Sequence, residues 1–254
     1  MITREQLLEH YKDVLNYNNV DFKKCIITNS KAKEGGILLV GMNPSGDGDK
    51  ELFDYLGKEC KYGDFWEPKH KMMGTDDSKN NFDKNCGFID LFPIRNGDQK
   101  AFEKNNDSNN QMMGQLLGVT QDYIESLRPK LIISANKRSS YYWGFKKQKK
   151  EGPCKPFEDE YDNIWMGYEF ERVKPSPLAG IQDKGYWDFY KITNIIPSGV
   201  NKWRQTTNLE GSFYLQYRQH KAYGNVVRTD RELTPNDIKT IVEWIDPKWA
   251  KELL

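Results

Sequence analysis

Near the start of the chain, apolar residues recur at helical spacing: Leu7, Leu8, Tyr11 and Leu15 share one face, and Thr3 stands where a cap is needed. This predicts an amphipathic helix over residues 3–15, an outer-layer element. The pattern then changes. Residues 36–42 (GILLVGM) form a short continuous apolar run between glycines, as expected of a strand buried on both faces, and the run stops at the turn Asn43-Pro44-Ser45-Gly46. Residues 86–92 (CGFIDLF) end at Pro93, and residues 131–135 (LIISA) follow Arg128-Pro129; both predict similar strands. Between them, residues 111–127 carry apolar positions at helical intervals. Strand, helix and strand in alternation predict a parallel sheet with crossover helices.

A fourth strand is predicted over residues 163–173, ending in Lys174-Pro175-Ser176-Pro177, with a helix over about 184–195 after it. Residues 97–110, rich in Asn, Asp and Lys, read as an exposed loop; residues 197–231 are polar, studded with aromatics and too irregular to assign. A capped C-terminal helix runs from Leu233 to Leu254, interrupted at Pro247. The expected fold class is therefore α/β, a three-layer α/β/α domain with a central, mostly parallel sheet over residues 1–196. Residues 197–254 form an unassigned extension packed on it.

Composition narrows the functions open to such a domain. The chain has 254 residues, enough for one full core, and 38 basic against 37 acidic residues give a net charge of +1. No global field draws the molecule onto DNA, so nucleic-acid contact would have to come from local patches such as Lys146-Lys147-Gln148-Lys149-Lys150 with Lys137 and Arg138. Cys25, Cys60, Cys86 and Cys154 form no CxxC pair, and His10, His70 and His220 are scattered. Neither zinc nor nucleophilic-serine chemistry gains support from such spacing. No signal peptide opens the sequence and no apolar run is long enough to span a bilayer, so a soluble cytoplasmic protein is expected.

In open parallel sheets the functional loops lie beyond the carboxyl ends of the strands, which is where the three proline-marked turns would gather. Singly, each turn is ordinary: Asn-Pro and Ser-Gly are common turn dipeptides, and Pro-Ser-Pro is usually an extended connector. Their order is more specific. A strand ending in Gly41-Met42-Asn43-Pro44, a second ending in Asp90-Leu91-Phe92-Pro93, the turn Pro175-Ser176-Pro177-Leu178-Ala179-Gly180 and then Lys184-Gly185-Tyr186-Trp187 follow one another. Together they resemble the uracil-DNA glycosylase superfamily, and most of all its single-strand-selective monofunctional and mismatch-specific members. The resemblance covers roughly residues 36–190.

The resemblance implies base excision repair: hydrolysis of the N-glycosidic bond of a base flipped out of DNA, with no metal or cofactor and with a monomeric protein as the agent. Asn43 would hold the attacking water, although an Asn before Pro can simply cap its turn. Gly41, Met42 and Pro44 would border the base, with Phe53, Tyr55 or Phe65 as an aromatic lid. Ser45 and Ser176 would reach phosphate oxygens, and Pro177 with Leu178 would fill the gap left by the flipped base.

Two positions depart from the family. Lys174 stands where a histidine usually stabilises the leaving base; its ammonium could do the same more strongly, or be a solvated loop lysine that replaced a lost catalytic group. Asp90 stands where an asparagine usually pairs with the base edge. A carboxylate only accepts hydrogen bonds unless protonated, so Asp90 favours a base with two donors, or a neutral carboxyl raised by burial. Two rival functions follow: a non-catalytic nucleic-acid or nucleotide binder, and a hydrolase of free nucleosides that needs neither Leu178 nor the basic cluster.

Overall fold

The computed structural model describes residues 1–20, 32–44, 69, 71–74, 79–94, 110–134, 139–145, 165–180, 187–197, 200, 204–217 and 233–254. The first helix, α1 (Arg4–Tyr17), is fixed at its start by a reciprocal cap. The Gln6 amide N–H donates to Thr3 Oγ1 at 3.2 Å, and Thr3 N–H donates to Gln6 Oε1 at 2.9 Å. Such a cap contributes about 1 kcal/mol. Leu7, Tyr11 and Leu15, spaced by four, are the residues α1 buries.

Strands β1 (Ile37–Gly41), β2 (Cys86–Asp90) and β3 (Leu131–Ser134) are buried throughout, as their unbroken apolar runs require. Helix α2 (Asn110–Leu127) connects β2 to β3, and a short helix α3 (Ser140–Trp143) follows β3. Strand β4 (Tyr168–Arg172) keeps only the later half of its predicted span, after a turn at Trp165-Met166 and a left-handed Gly167 with φ 78°. The chain closes with α4 (Pro235–Ile245) and α5 (Pro247–Leu253). Pro247 does interrupt the final helix, because Asp246 both ends α4 and caps α5 through the N–H groups of Lys248 (2.9 Å) and Trp249 (3.2 Å).

Residues 187–195 are strand, not helix. They form β5 (Trp187–Ile195), and residues 213–217, unassigned from sequence, form β6 (Phe213–Tyr217). The reason for the first difference is that β5 is apolar on both faces and carries a bulge. Glu169 pairs with Asn194 and Phe170 with Ile192, so Thr193 is the extra residue. Trp187 and Phe189 face one core cluster and Ile192 the other by ordinary alternation, and the bulge keeps Ile195 on the side of Ile192. Apolar residues on both faces are spaced by two and then three, which imitates a helix.

The six strands form one mixed, mostly parallel sheet in the order β2-β1-β3-β6-β5-β4. β2, β1, β3 and β6 run parallel to one another, and β5 is antiparallel to both β6 and β4. A core lies on each face of this sheet. Leu38, Val40, Ile132 and Tyr214 pack with residues of α1, α2 and α3 on one side, the first cluster. Ile37, Leu39, Ile133 and Leu215 pack with residues of α4 and α5 on the other, the second cluster. Because β6 lies between β3 and β5, the segment beyond residue 196 is built into the sheet and not only packed on it. Among the described residues, no helix is long and apolar enough to cross a membrane.

Candidate functional site

The carboxyl ends of β1 and β2 are held together beyond the strands themselves. Leu91 N–H donates to the Gly41 carbonyl at 3.2 Å and Phe92 N–H to the Met42 carbonyl at 2.9 Å, so Asn43 and Asp90 leave the sheet side by side. Gly41 pairs with Asp90. A Cβ at Gly41 would stand 2.0 Å from Asp90 Oδ1 and 3.2 Å from its Cγ. The glycine is therefore needed for space and not for an unusual φ: the Asp90 carboxyl occupies the volume that any other side chain at position 41 would take. Asp90 is 5 % exposed, and it is not an isolated charge. Met42 is buried in the first core cluster, so only its backbone can border a ligand. Asn43 is half-buried, and its Nδ2 donates to the Pro44 carbonyl at 3.2 Å.

Strand order fixes where a crevice can form. The chain leaves β1 toward β2 on one side, and β3 returns on the other side of β1. This is a topological switch point, and open α/β sheets bind ligands beyond the strand ends at such points. One wall is the turn after Gly41. The other begins at Ser134, the last residue of β3, which pairs with Val40 and is hydrogen-bonded through its hydroxyl to Ser139. The Tyr214 hydroxyl lies beside this serine pair, and burial pushes its pKa well up, so it stays protonated. Next along the edge is Gln216 of β6, in register with Ser134 on one side and Asp188 on the other. Gln216 is 8 % exposed, and its side-chain amide makes no hydrogen bond among the described residues.

Sequence reasoning missed Gln216 because it missed β6. The usable signal was the short aromatic and aliphatic run Phe213-Tyr214-Leu215-Gln216-Tyr217, only five residues long and set in polar surroundings.

No protein-family model matches this chain, and no curated protein matches it.

Among the described residues, Lys174, Ser176, Pro177 and Leu178 lie apart from this crevice. Lys174 follows β4, at the same end of the sheet as Asn43, but β3, β6 and β5 stand between β4 and β1. Four strand spacings separate the two turns by roughly 19 Å, so they do not face each other across a single base. Lys174 is exposed and its peptide bond to Pro175 is cis. The Ser176 hydroxyl accepts from Leu178 N–H at 3.1 Å, which closes the turn locally. Pro177 and Leu178 begin a 3-10 turn (Pro177–Gly180) lying against α4; Leu178 is half-buried and packs on the second core cluster with Val173. Ser45, Phe53, Tyr55 and Phe65 lie outside the described residues, as do His70, His220 and the basic cluster at 146–150.

A second buried polar group sits at the opposite end of the sheet. Glu125, near the end of α2, accepts from Tyr168 Oη (2.8 Å), Thr207 Oγ1 (2.6 Å) and Asn208 N–H (2.6 Å). Arg204 Nη1 lies 3.9 Å away, and the same guanidinium is also hydrogen-bonded to Asp122. Burial, reinforced by the Glu125 charge, holds the Tyr168 phenol well above its ordinary pKa, so it remains a donor. This cluster ties the loop before β6 to α2. It is a structural clasp with its acceptors filled.

Proposed function

We propose that the chain is a monofunctional DNA glycosylase that hydrolyses the N-glycosidic bond of a flipped, damaged base, uracil or a relative, within a three-layer fold like that of the uracil-DNA glycosylases. The observation that carries this reading is the adjacency of the Gly41-Met42-Asn43-Pro44 turn and Asp90 at the carboxyl ends of paired strands. Asn43 directs a water at the sugar carbon. Asp90, set against Gly41, accepts from the base edge. Lys174, exposed and remote from Asn43, acts in this reading on the phosphate backbone and not on the leaving base. No step calls for a metal or cofactor.

The test is direct. Single- and double-stranded oligonucleotides carrying uracil, hydroxymethyluracil, hypoxanthine or xanthine are incubated with the protein and treated with alkali. Strand breaks that disappear in Asn43→Ala support the reading. Lys174→Ala should weaken DNA binding and flatten its logarithmic salt dependence by about one, with single-turnover cleavage unchanged. A fall in the cleavage step itself would return Lys174 to the leaving group.

The distance of Lys174 from the crevice favours a second reading, a non-catalytic binder of nucleic acid or nucleotide. Tight binding of these oligonucleotides without breaks would select it. Cleavage of free nucleosides alone would favour a nucleoside hydrolase.

A further inference from the structure

We infer that Thr120 is a positioning residue of the candidate site: from within α2 its hydroxyl holds the Leu91 carbonyl and so fixes the backbone that follows Asp90. The inference rests on the base-excision reading above and adds to it the scaffold that sets Asp90 and Asn43. In a regular parallel strand the N–H groups of successive residues point to opposite neighbours. Leu91 and Phe92 are successive, yet both donate to β1, at the Gly41 and Met42 carbonyls (3.2 and 2.9 Å). The backbone therefore turns over directly after Asp90. The Leu91 carbonyl then points at α2, where Thr120 Oγ1 donates to it at 2.7 Å.

Thr120 and Tyr11 are both buried. A threonine hydroxyl has one hydrogen, and the two carbonyls within its reach, Leu91 at 2.7 Å and Leu116 at 3.1 Å, can only accept. That hydrogen is committed, so the Tyr11 hydroxyl, 2.6 Å away, donates to Thr120. The result is a directed chain from Tyr11 on α1 through Thr120 on α2 to Leu91. Thr120 does not need Leu91 for its own sake, because the Leu116 carbonyl, one turn back in the same helix, is the ordinary acceptor for a helical threonine. The Leu91 carbonyl is the group that gains.

The peptide that joins Leu91 to Phe92 is thereby clamped at both ends, its N–H on β1 at Met42 and its C=O on α2 at Thr120. Asp90 precedes one end of this clamp and Asn43 follows the other, so a single peptide plane sets the relative placement of the two proposed site residues. Such groups tolerate little displacement: a shift of about 1 Å costs up to about a hundredfold in rate. Valine at position 120 keeps the shape of threonine and removes the hydroxyl, which frees this plane to rotate.

The experiment uses the full chain and whichever of the four modified oligonucleotides the wild type cleaves, well below the thermal midpoint of every variant. In Thr120→Val the single-turnover rate should fall at least about tenfold, while the half-saturating oligonucleotide concentration stays within about twofold. Thr120→Ser, which restores the hydroxyl, should recover the wild-type rate, and Tyr11→Phe should show a smaller fall than Thr120→Val. Amide hydrogen exchange gives a reading independent of activity: the Phe92 N–H should exchange faster in Thr120→Val and at the wild-type rate in Thr120→Ser. A wild-type cleavage rate in Thr120→Val overturns the inference. So do equal losses in Thr120→Val and Thr120→Ser, since packing and not the hydroxyl would then be responsible, or Phe92 exchange that is the same in all variants. If the wild type cleaves no oligonucleotide, the proposed function falls and the positioning role falls with it; if it cleaves and Thr120→Val cleaves equally well, only the role of Thr120 falls.

Discussion

At the amino end of the sheet, Glu125 is buried, yet its two oxygens hold three donors from two segments and a guanidinium stands close by. At the carboxyl end, Gln216 is buried to nearly the same degree with its amide making no hydrogen bond among the described residues, and Asp90 takes the space over a glycine. The two ends use similar residue types for different purposes. Where the partners are complete, removing one group leaves others stranded and the fold suffers. Where a polar group lacks a protein partner but reaches solvent, water complements it and removing it strands nothing. Buried polarity is informative about function only after its hydrogen bonds have been accounted for.

Four variants would break or sharpen this contrast. The largest effect is expected from Glu125→Ala, which strands Arg204 and the donors of Tyr168, Thr207 and Asn208; denaturant unfolding should show a loss of about 3–5 kcal/mol. A loss below 1 kcal/mol would mean the clasp is ornamental.

Gly41→Ala comes next. The new methyl must displace the Asp90 carboxyl, with an expected cost of about 1–3 kcal/mol and a matching loss of any base-directed activity. In a double-mutant cycle with Asp90→Ala the two penalties should fall short of additivity. Strict additivity would show that the two residues do not meet.

Asp246 gives a smaller, pH-dependent effect at the amino end. Hydrogen bonds from Trp249 N–H first, then from the Lys130 ammonium and Lys248 N–H, hold its carboxyl below the usual aspartate range. A lowered native pKa contributes stability that is present above the unfolded value and lost as pH falls through the native one. Between about pH 5 and 2, Asp246→Asn should show a shallower decline in urea midpoint than the wild type, and an identical slope would dissociate this carboxylate from acid unfolding.

The smallest change in stability belongs to Gln216→Leu, expected within about 0.5 kcal/mol of the wild type or slightly positive. It is the counterpart of Glu125→Ala at the other end of the same sheet. A pair of equal losses would abolish the contrast between the two ends.

Local pattern in the chain carried the elements whose residues keep one environment from end to end. The apolar runs of β1, β2 and β3, the four-residue spacing of α1, the long face of α2 and the stop at Pro247 each have a period that a single face dictates, and all were legible. β5 was misread because it is apolar on both faces, with a bulge that keeps Ile195 on the side of Ile192, so its spacing imitates a helix. β6 passed unnoticed because five residues carry too little periodicity to stand out.

For the candidate site, the turn after Gly41 and the strand-end position of Asp90 could be read directly, since both follow from where a buried strand must stop. Tertiary structure alone decided the rest: that the carboxyl of Asp90 fills the place of a Gly41 side chain, that β6 enters between β3 and β5, and that Lys174 is carried four strand spacings away from Asn43. The physical reason is that periodicity records which way a side chain faces, whereas neighbourhood within a sheet is set by hydrogen bonds between segments far apart in the chain, and no local pattern encodes that choice.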